Sequence, residues 1–404
     1  MATIRAFRAL RPPVAAVARV AAPPYDVINT AEARALAAGN AESFLHVSRP
    51  EIDLPEGTDE HADEVYARGA TNLEELIARG SLLREETASL YVYTQCMGEH
   101  RQSGLVACVS VADYDKDVIK KHEKTRQDKE DDRTRHIHEL GAHDEPVFLT
   151  YRARPTIDAA IARTQGAAPT YDFTTTDGVR HTLWVVAPGE TPRLVELFGD
   201  VDTLYVADGH HRSAAASRVH ALRRGQAGEH DVFLAVIFPH DQMQILAYNR
   251  VVRDRQGRSP ETLLELFRER FDVAQAESAI PGEPRTFGLY LGGRWWRLRV
   301  RPGSFDASDP VASLDASICQ DQILEPLFGV ADPRRDENVD FVGGIRGVSE
   351  LERRVDQQGW SAALHLYPTS IDQLIAVSDA GRLMPPKSTW FEPKLRSGLF
   401  VHSF

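Results

Sequence analysis

Apolar residues recur at helical spacing in some segments of the chain and follow strand-like patterns in others. Helices are predicted for residues 31–38, 59–79, 157–163, 213–224, 260–270, 316–327 and 370–380. Strands are predicted for residues 89–94, 105–113, 146–151, 182–186, 203–207, 232–238, 244–248, 286–291, 295–300 and 362–366. The strands at 286–291 and 295–300 are predicted to form a hairpin over Gly292-Gly293-Arg294. Because helices and strands follow one another irregularly, the pattern predicts an α+β (mixed α/β) fold rather than a doubly wound sheet.

Two segments depart from this pattern. Residues 114–138 carry dense charges of both signs, which predicts a helix and an exposed loop, too polar for the core. Residues 384–404 are interrupted by prolines, which predicts an extended tail. Loops near residues 166–169 and 256–260 divide the chain into three predicted regions: 1–167, 168–258 and 259–404.

The charge of the chain argues against binding to nucleic acid. Of the 404 residues, 47 are Lys or Arg and 59 are Asp or Glu, so the formal net charge is −12. Sequence-independent binding of DNA or RNA needs a basic surface, and therefore no nucleic-acid partner is expected. The chain has no run of apolar residues long enough for a membrane span, so no membrane association is expected either.

The cysteines and the N-terminal stretch bear on localisation. Cys96, Cys108 and Cys319 form no CxxC pair, so neither a zinc cage nor a disulfide scaffold is predicted. Sparse cysteines are typical of a reducing compartment. The Ala- and Val-rich N-terminus resembles a targeting peptide, but Arg19 interrupts its apolar segment. We therefore expect a cytoplasmic protein.

The most specific polar motif is Asp208-Gly209-His210-His211-Arg212, which lies between a predicted strand and a predicted helix. At such a turn the first N–H groups of the helix are unpaired and lie at the positive end of its dipole, which favours a phosphate. Gly209 lets the phosphate approach the backbone, and Arg212 can bind it in a bidentate fork. Either histidine can donate a hydrogen bond to it. Asp208 can orient a histidine, bind a metal ion or accept a hydroxyl proton. The alternative is an N-capping aspartate, a turn glycine and exposed polar residues.

A second motif, His122-Glu123-Lys124-Thr125, lies in the charged segment. A kinase for an alcohol needs a carboxylate that accepts the hydroxyl proton, and Glu123 is a candidate. His122 is a further candidate catalytic residue. Lys124 and Arg133 can offset charge on the transferred group, and Lys124 is also a candidate for binding the substrate. The alternative is a solvated charged face.

Residues 23–27 read Pro-Pro-Tyr-Asp-Val. The double proline fixes an extended backbone, which suits the presentation of Tyr25 to a substrate and of Asp26 as a catalytic carboxylate. The alternative is a structural turn in which Asn29 or Thr30 caps the following helix.

Residues 384–394 read Met-Pro-Pro-Lys-Ser-Thr-Trp-Phe-Glu-Pro-Lys, a basic cluster in an acidic protein. Lys387-Ser388-Thr389 resembles the end of a phosphate loop, but the glycines that such a loop needs are missing, so a Walker-type site is rejected. Lys387 and Ser388 are candidates for binding nucleotide phosphates, and Thr389 is a candidate for binding the substrate. The alternative is a tail strand anchored by its aromatic residues.

In this order the four motifs resemble domain-of-unknown-function family 1015, from about residue 5 to the end of the sequence. The motif at residues 208–212 also resembles the phosphate-binding turn of the ParB/sulfiredoxin-like fold, on which free L-serine kinases are built. The resemblance implies a ParB/sulfiredoxin-like core with additional α/β elements. By analogy it also implies ATP or ADP as phosphate donor, Mg²⁺, and free L-serine as acceptor.

The leading hypothesis is a small-molecule kinase. In this hypothesis the turn at residues 208–212 holds the nucleotide phosphates, Mg²⁺ bridges phosphate and carboxylates with Asp208 as its candidate ligand, and Glu123 or Asp26 activates a hydroxyl. Two alternatives stay open: a hydrolase of nucleotides or other phosphoesters at the same turn, and a non-catalytic ParB-like nucleotide-binding module. The expected partners are a nucleotide and a small hydroxylated metabolite. The sequence does not determine whether the protein is a monomer or an oligomer.

Overall fold

The computed structural model describes residues 1–276 and 278–404, which form two compact units. The first unit contains Met1–Lys121, Thr125–Met243 and Pro393–Phe404. The second unit contains His122–Lys124 and Gln244–Glu392. Both units combine helices with β-sheet, which confirms the predicted mixed α/β class. The division into three sequence regions stays a prediction.

A mixed sheet forms the centre of the first unit. Its strands lie in the order Ile119–Lys120, Leu204–Asp208, Val147–Tyr151, Val232–Pro239, His100–Ser110, Tyr91–Met97, Arg180–Val185 and Tyr171–Thr174, with Ile4–Arg5 beside His100–Ser110. Leu204–Asp208 runs antiparallel to Val147–Tyr151, which runs parallel to Val232–Pro239. Short strands pair Leu10–Arg11 with Leu83–Arg84, and Ala142–His143 with His402–Ser403. Valine, leucine and isoleucine fill these strands because β-branched and aliphatic side chains pack well on a buried sheet.

The first unit contains nine helices within the described residues, and two of their ends carry clear sequence signals. They span Val17–Val20, Thr30–Ala37, Leu45–Ser48, Asp63–Ala78, Val111–Asp115, Gln127–Leu140, Pro155–Gln165, Thr191–Gly199 and His210–Leu222, with 3₁₀ turns at Tyr25–Val27, Pro50–Asp53 and His240–Gln242. Asn29 and Glu32 form a capping box at the start of Thr30–Ala37, which confirms the predicted cap at Asn29. Gly141, in the left-handed conformation, ends Gln127–Leu140.

The expectation of an exposed polar segment at residues 114–138 is wrong for part of it. Helix Gln127–Leu140 buries Asp132, Arg133, Thr134 and His136. The charged groups of Asp132 and Arg133 pair with each other, and His136 pairs with Asp144; such pairing is what allows charged groups to be buried.

The second unit has an antiparallel sheet of its own. Its strands lie in the order Phe271–Gln275, Arg294–Val300, Thr286–Leu291, Ala362–His365, Tyr248–Val252 and Val339–Gly343, and a separate pair joins Gln244–Leu246 to Trp390–Glu392. The helices are Pro260–Arg270, Asp315–Cys319, Glu325–Phe328, Val348–Gln358 and Ile371–Asp379, with a π-helical turn at Gln320–Leu324 and a 3₁₀ turn at Gly344–Arg346. The predicted hairpin at residues 286–300 and the predicted helix at 260–270 are confirmed.

Several elements escaped the sequence analysis. They are, among others, Tyr171–Thr174, Thr191–Gly199, Phe271–Gln275, Val339–Gly343 and Val348–Gln358. Most are short or strongly polar, and their hydrophobic pattern is weak for that reason. In the described part of the chain, no helix is long and apolar enough to cross a membrane.

Candidate functional site

The motif at residues 208–212 forms the corner between strand Leu204–Asp208 and helix His210–Leu222 in the first unit. The pairing of the strand shifts register between Val206 and Asp208 just before the corner. Gly209 has φ 95°, in the left-handed region. A Cβ atom at this position would lie 3.0 Å from Nε of Arg212. The corner therefore needs glycine both for its backbone conformation and for the close approach of Arg212.

Arg212 is buried behind this corner, with a relative exposure of 6%. One terminal N–H group donates to the carbonyl oxygen of Pro146 at 2.6 Å. The other terminal nitrogen lies 3.7 Å from Asp26 Oδ2 and 3.9 Å from Asp208 Oδ2. Nε is buried and has no hydrogen-bond partner among the residues that the structure describes. Arg212 is thus fixed in place while one edge of its guanidinium group stays available.

The charge of Arg212 survives burial because of its surroundings. Burial alone would lower its pKa, but the carboxylates of Asp26, Asp208 and Glu145 outweigh this effect and raise the pKa above its usual value. Arg212 is therefore a permanently charged group inside the protein.

Asp208 joins the corner to the motif at residues 384–394. Its Oδ1 accepts a hydrogen bond from the N–H of Gly209 at 2.8 Å, and its Oδ2 accepts one from Nζ of Lys394 at 3.0 Å. Burial would raise the pKa of Asp208, but Lys394 and then Arg212 hold it well below its usual range. Asp208 is ionised and positions a second cation beside Arg212.

The segment at residues 23–27 contributes to the same cluster. Pro24 is extended, and Tyr25–Val27 forms a 3₁₀ turn that directs Asp26 towards Arg212. Tyr25 is buried, and the guanidinium group of Arg133 lies 4.0 Å from the centroid of its ring, in a cation–π contact. Burial raises the pKa of the Tyr25 phenol, so the ring stays neutral.

Glu145 lies next to Tyr25 and was not found by the sequence analysis. It is buried, and its Oε1 accepts hydrogen bonds from the N–H of Tyr25 at 3.0 Å and from the hydroxyl of Ser397 at 2.6 Å. Its Oε2 is buried and has no hydrogen-bond partner within residues 1–276 and 278–404. Burial raises the pKa of Glu145 to about 7, against the opposing effect of Arg212. Glu145 can therefore hold or release a proton near neutral pH.

A second group of buried charged residues begins with Asp144, the residue next to Glu145 in sequence. Asp144 lies 3.1 Å from Nε2 of His136, and Arg133 donates from Nε to Asp132 at 2.9 Å. Burial would raise the pKa of Asp144, but His136 and Arg133 lower it. The polar face of helix Gln127–Leu140 is buried because it supplies these partners.

The two histidines of the motif differ in their environment. His210 is buried, and burial lowers its pKa to about 3, so it is neutral at physiological pH. His211 is partly exposed, and its Nε2 accepts a hydrogen bond from the backbone N–H of Arg126 at 3.2 Å.

The remaining predicted site residues belong to the second unit. Nε2 of His122 lies 3.5 Å from the hydroxyl oxygen of Thr389, and the N–H of Met384 donates to the carbonyl oxygen of His122 at 2.8 Å. Ser388 is buried and donates to the carbonyl oxygen of Pro385 at 2.7 Å. Among the other predicted residues of this unit, Glu123 is partly exposed, and Lys124 and Lys387 are exposed.

The first unit therefore brings together Tyr25, Asp26, Asp208, Gly209 and Arg212, and the second unit brings His122 close to Thr389. The sequence analysis missed Glu145, Asp144 and Ser397 as members of the cluster. One signal was available for two of them: an Asp-Glu pair separated only by Pro146 from the buried strand Val147–Tyr151. Acidic residues at the edge of an apolar strand need partners, and they point to a buried polar cluster.

A family model described as "Protein of unknown function (DUF1015)" matches residues 4–317. This range includes the motifs at residues 23–27, 122–125 and 208–212 and ends before the motif at 384–394. A comparison with curated proteins finds no match.

Several solved structures are similar to the chain at low identity. A free serine kinase in complex with AMP is 14% identical, with a TM-score of 0.38 over 71% of this chain and 86% of that protein. SbnI with a C-terminal truncation, from Staphylococcus aureus, is 13% identical, with a TM-score of 0.38 over 72% and 85%. A conserved hypothetical protein from Pyrococcus furiosus is 12% identical, with a TM-score of 0.36 over 71% and 90%. Similarity at this level is too weak to carry an argument about activity.

Proposed function

The chain belongs to the DUF1015 family, and we propose that it is a small-molecule kinase that transfers a phosphate group from ATP or ADP to a hydroxyl. The best candidate reaction is the phosphorylation of free L-serine to O-phospho-L-serine. The observation that carries the proposal is the buried Arg212, held at the start of a helix with an unused Nε and with Lys394 nearby through Asp208. This arrangement suits an oxyanion with several oxygen atoms.

The corner at residues 208–212 combines three features that favour phosphate. Helix His210–Leu222 presents the positive end of its dipole, and Gly209 leaves the backbone open to close approach. Arg212 and Lys394 add two positive charges. At 3.7 and 3.9 Å from Asp26 and Asp208, the terminal nitrogen of Arg212 forms ion pairs rather than hydrogen bonds, so its donors are not committed to these carboxylates.

The proposed phosphate-binding residues are those of the sequence analysis: Gly209, His210, His211 and Arg212 in the first unit, and Lys387 and Ser388 in the second unit. The proposed substrate-binding residues are Tyr25, Lys124 and Thr389. As the carboxylate that accepts the hydroxyl proton we propose Asp26 or Glu123, with His122 and Asp208 as further catalytic candidates. Asp26 suits this role because its side chain is 36% exposed while it lies next to Arg212.

Magnesium is expected to accompany the nucleotide, where it neutralises phosphate charge. Asp208 offers the carboxylate oxygens that Mg²⁺ prefers and stays the proposed ligand. Its Oδ2 contacts Lys394 at 3.0 Å, so a metal ion there would have to share this oxygen with the ammonium group or displace it. No step of the proposed reaction depends on this contact.

The proposal is tested by incubating the protein with Mg²⁺ and ATP or ADP, with and without L-serine, and measuring phosphoserine and free phosphate. We expect phosphoserine only when serine is present. Equal phosphate release with and without serine, and no phosphoserine, would indicate a hydrolase instead. Nucleotide binding without turnover across a panel of small hydroxylated metabolites would indicate a non-catalytic binding module.

Arg212→Ala tests the site within the same assay. We expect nucleotide affinity to fall by about tenfold to a hundredfold, because hydrogen bonds to charged groups contribute about 1.5–3 kcal/mol. The matched control is Arg218→Ala, on the same helix, because Arg218 is partly exposed and forms ion pairs with Glu130 and Asp131. Equal nucleotide affinity of the two variants would contradict the proposed site.

A further inference from the structure

Arg250 is a buried arginine in the sheet of the second unit. It lies in strand Tyr248–Val252 and is 2% exposed. Its terminal N–H groups donate to the carbonyl oxygens of Tyr248 and, at 3.4 Å, Pro386, and its guanidinium carbon lies 5.1 Å from the centroid of the Phe341 ring. Its Nε is buried without a hydrogen-bond partner in the part of the chain that the structure describes.

No carboxylate compensates this charge within the described residues. The three other arginines buried to a similar degree are Arg133, Arg212 and Arg396, and each forms an ion pair with an aspartate. Arg250 forms none, and burial lowers its pKa for lack of a nearby carboxylate. A buried charge without a counter-charge costs several kcal/mol, so this position calls for an anion from outside the chain.

A second cation, Lys387, lies close to two residues that Arg250 also contacts, Pro386 and Tyr248. Lys387 directly follows Pro386, which accepts the bond from Arg250, and its Nζ lies 5.7 Å from the centroid of the Tyr248 ring. Lys387 is exposed and has φ 57°, a left-handed conformation that is strained for a residue with a side chain. Strain of this kind concentrates at binding and catalytic sites.

We propose that Arg250 and Lys387 form an anion site in the second unit that binds a phosphate group of a small ligand. The Nε edge of Arg250 offers the planar donor geometry that matches two oxygens of an oxyanion. The bond to Pro386 is long at 3.4 Å, so the terminal N–H group that makes it loses little when an anion oxygen replaces the carbonyl oxygen as its acceptor. The choice of phosphate rests on the proposed function, whereas the need for an anion follows from the burial of Arg250.

A purely structural role for Arg250 is the competing explanation. In that case the side chain only joins the backbone carbonyls of Tyr248 and Pro386, and its replacement would leave phosphate binding unchanged. A neutral donor could serve these carbonyls equally well, so this explanation gives no reason for a charged group at the position.

The test is a titration of the full-length protein with inorganic phosphate in a phosphate-free buffer, followed by calorimetry. We compare the wild type, Arg250→Met, Lys387→Ala and, for the other candidate site, Arg212→Met. We expect Arg250→Met to remove one class of phosphate site and Arg212→Met to remove another. Lys387→Ala changes an exposed side chain and should fold normally. It should weaken phosphate binding at the Arg250 site by about tenfold, because charge-assisted contacts to phosphate are strong.

A titration with acetate distinguishes a site for phosphate from one for carboxylates, and tighter binding of acetate would overturn the choice of phosphate.

Thermal unfolding in the phosphate-free buffer separates the two roles of Arg250. We expect Arg250→Met to be at least as stable as the wild type, because it replaces an uncompensated buried charge by an apolar side chain of similar size. Wild-type phosphate binding in both Arg250→Met and Lys387→Ala would overturn the inference, whatever the phosphoserine assay gives. Lack of phosphoserine with intact phosphate sites would instead refute the kinase proposal and leave the anion site standing.

Discussion

Arg212 and Glu145 are both buried, but their neighbours give them different charge states. Burial removes water from both groups, which favours the neutral form of each. For Arg212 two nearby aspartates restore the charge, whereas for Glu145 the neighbours Asp144 and Asp26 add further negative potential. The same cluster thus holds a fixed cation beside a carboxyl group that titrates near neutral pH.

The raised pKa of Glu145 makes the stability of the protein depend on pH. The unfolded chain ionises this group near 4.5 and the folded protein near 7, so the carboxyl destabilises the fold progressively as the pH rises through this interval. We expect Glu145→Gln to gain stability relative to the wild type between about pH 4.5 and 7, by at most about 3.5 kcal/mol, because one pKa unit corresponds to about 1.4 kcal/mol. Urea unfolding at pH values across this range measures the effect.

Glu139→Gln is the control for this experiment, because Glu139 is an exposed carboxylate in helix Gln127–Leu140. Its stability relative to the wild type should change little over the same interval. A constant difference between Glu145→Gln and the wild type from pH 5 to pH 8 would show that Glu145 ionises normally in the folded protein.

Among single residues, the sequence analysis identified as site candidates those that belong to short polar motifs. Tyr25, Asp26, Asp208 and Arg212 were all identified as candidates, and the structure places them in one cluster. Glu145 and Ser397 could not be identified in the same way, because their importance comes from burial and from contact with each other across the fold. Such contacts leave no local pattern in a sequence.

At the scale of elements, the strand–helix corner depends on Gly209. Gly209→Ala places a side chain in the left-handed region, which costs about 1–2 kcal/mol, and brings Cβ to 3.0 Å from Nε of Arg212. We therefore expect lower stability and weaker nucleotide binding together, measured by thermal unfolding and by nucleotide titration.

Gly225→Ala separates these two effects. Gly225 has φ 83°, but no atom outside its immediate neighbours lies within 4 Å of a Cβ built there. This variant should lose a similar amount of stability and keep its nucleotide affinity. Equal affinities of the two variants would mean that the position of Arg212 does not matter for binding.

Helix Gln127–Leu140 shows why charge density is a poor guide to exposure. Its mixed charges are typical of a solvated surface, and the sequence analysis placed them there. The structure buries Arg133 against Tyr25 and Asp132, so the charges serve as partners for other buried groups. The amphipathic helices and the hairpin at residues 286–300 were predicted well because an apolar face has a regular period.

At the scale of the whole molecule, the first unit is assembled from separated parts of the chain. The segment Pro393–Phe404 pairs with the N-terminal region through two β-bridges, one between Leu10 and Val401 and one between Ala22 and Ser397. It also contains Lys394, which donates a hydrogen bond to Asp208. The mixed α/β class was predictable from the order of elements. Pairing between residues almost 400 positions apart was not, because nothing near either residue indicates its partner.

Lys394→Met tests whether the contact between Lys394 and Asp208 stabilises only the corner at residues 208–212. Asp208 would lose its nearest positive charge, and we expect a loss of about 1–3 kcal/mol in the stability of the corner, as for a buried charged group left without its partner. Hydrogen exchange followed by mass spectrometry should show faster exchange in residues 204–222 and unchanged exchange in residues 244–392. Lys116→Met, an exposed lysine of the first unit, is the control. Faster exchange throughout the molecule, or the same pattern in both variants, would contradict a local role.

The late position of Lys394 and Ser397 also affects the protein during translation. The ribosome synthesises residues 244–392, the bulk of the second unit, before these two residues emerge. At about 5–20 residues per second, roughly 150 residues take on the order of 10–30 s. Throughout that delay the nascent first unit carries Asp208 without its ammonium partner and Glu145 without its hydroxyl donor. The contacts of the corner at residues 208–212 and of Glu145 are therefore completed only after residues 244–392 have been translated.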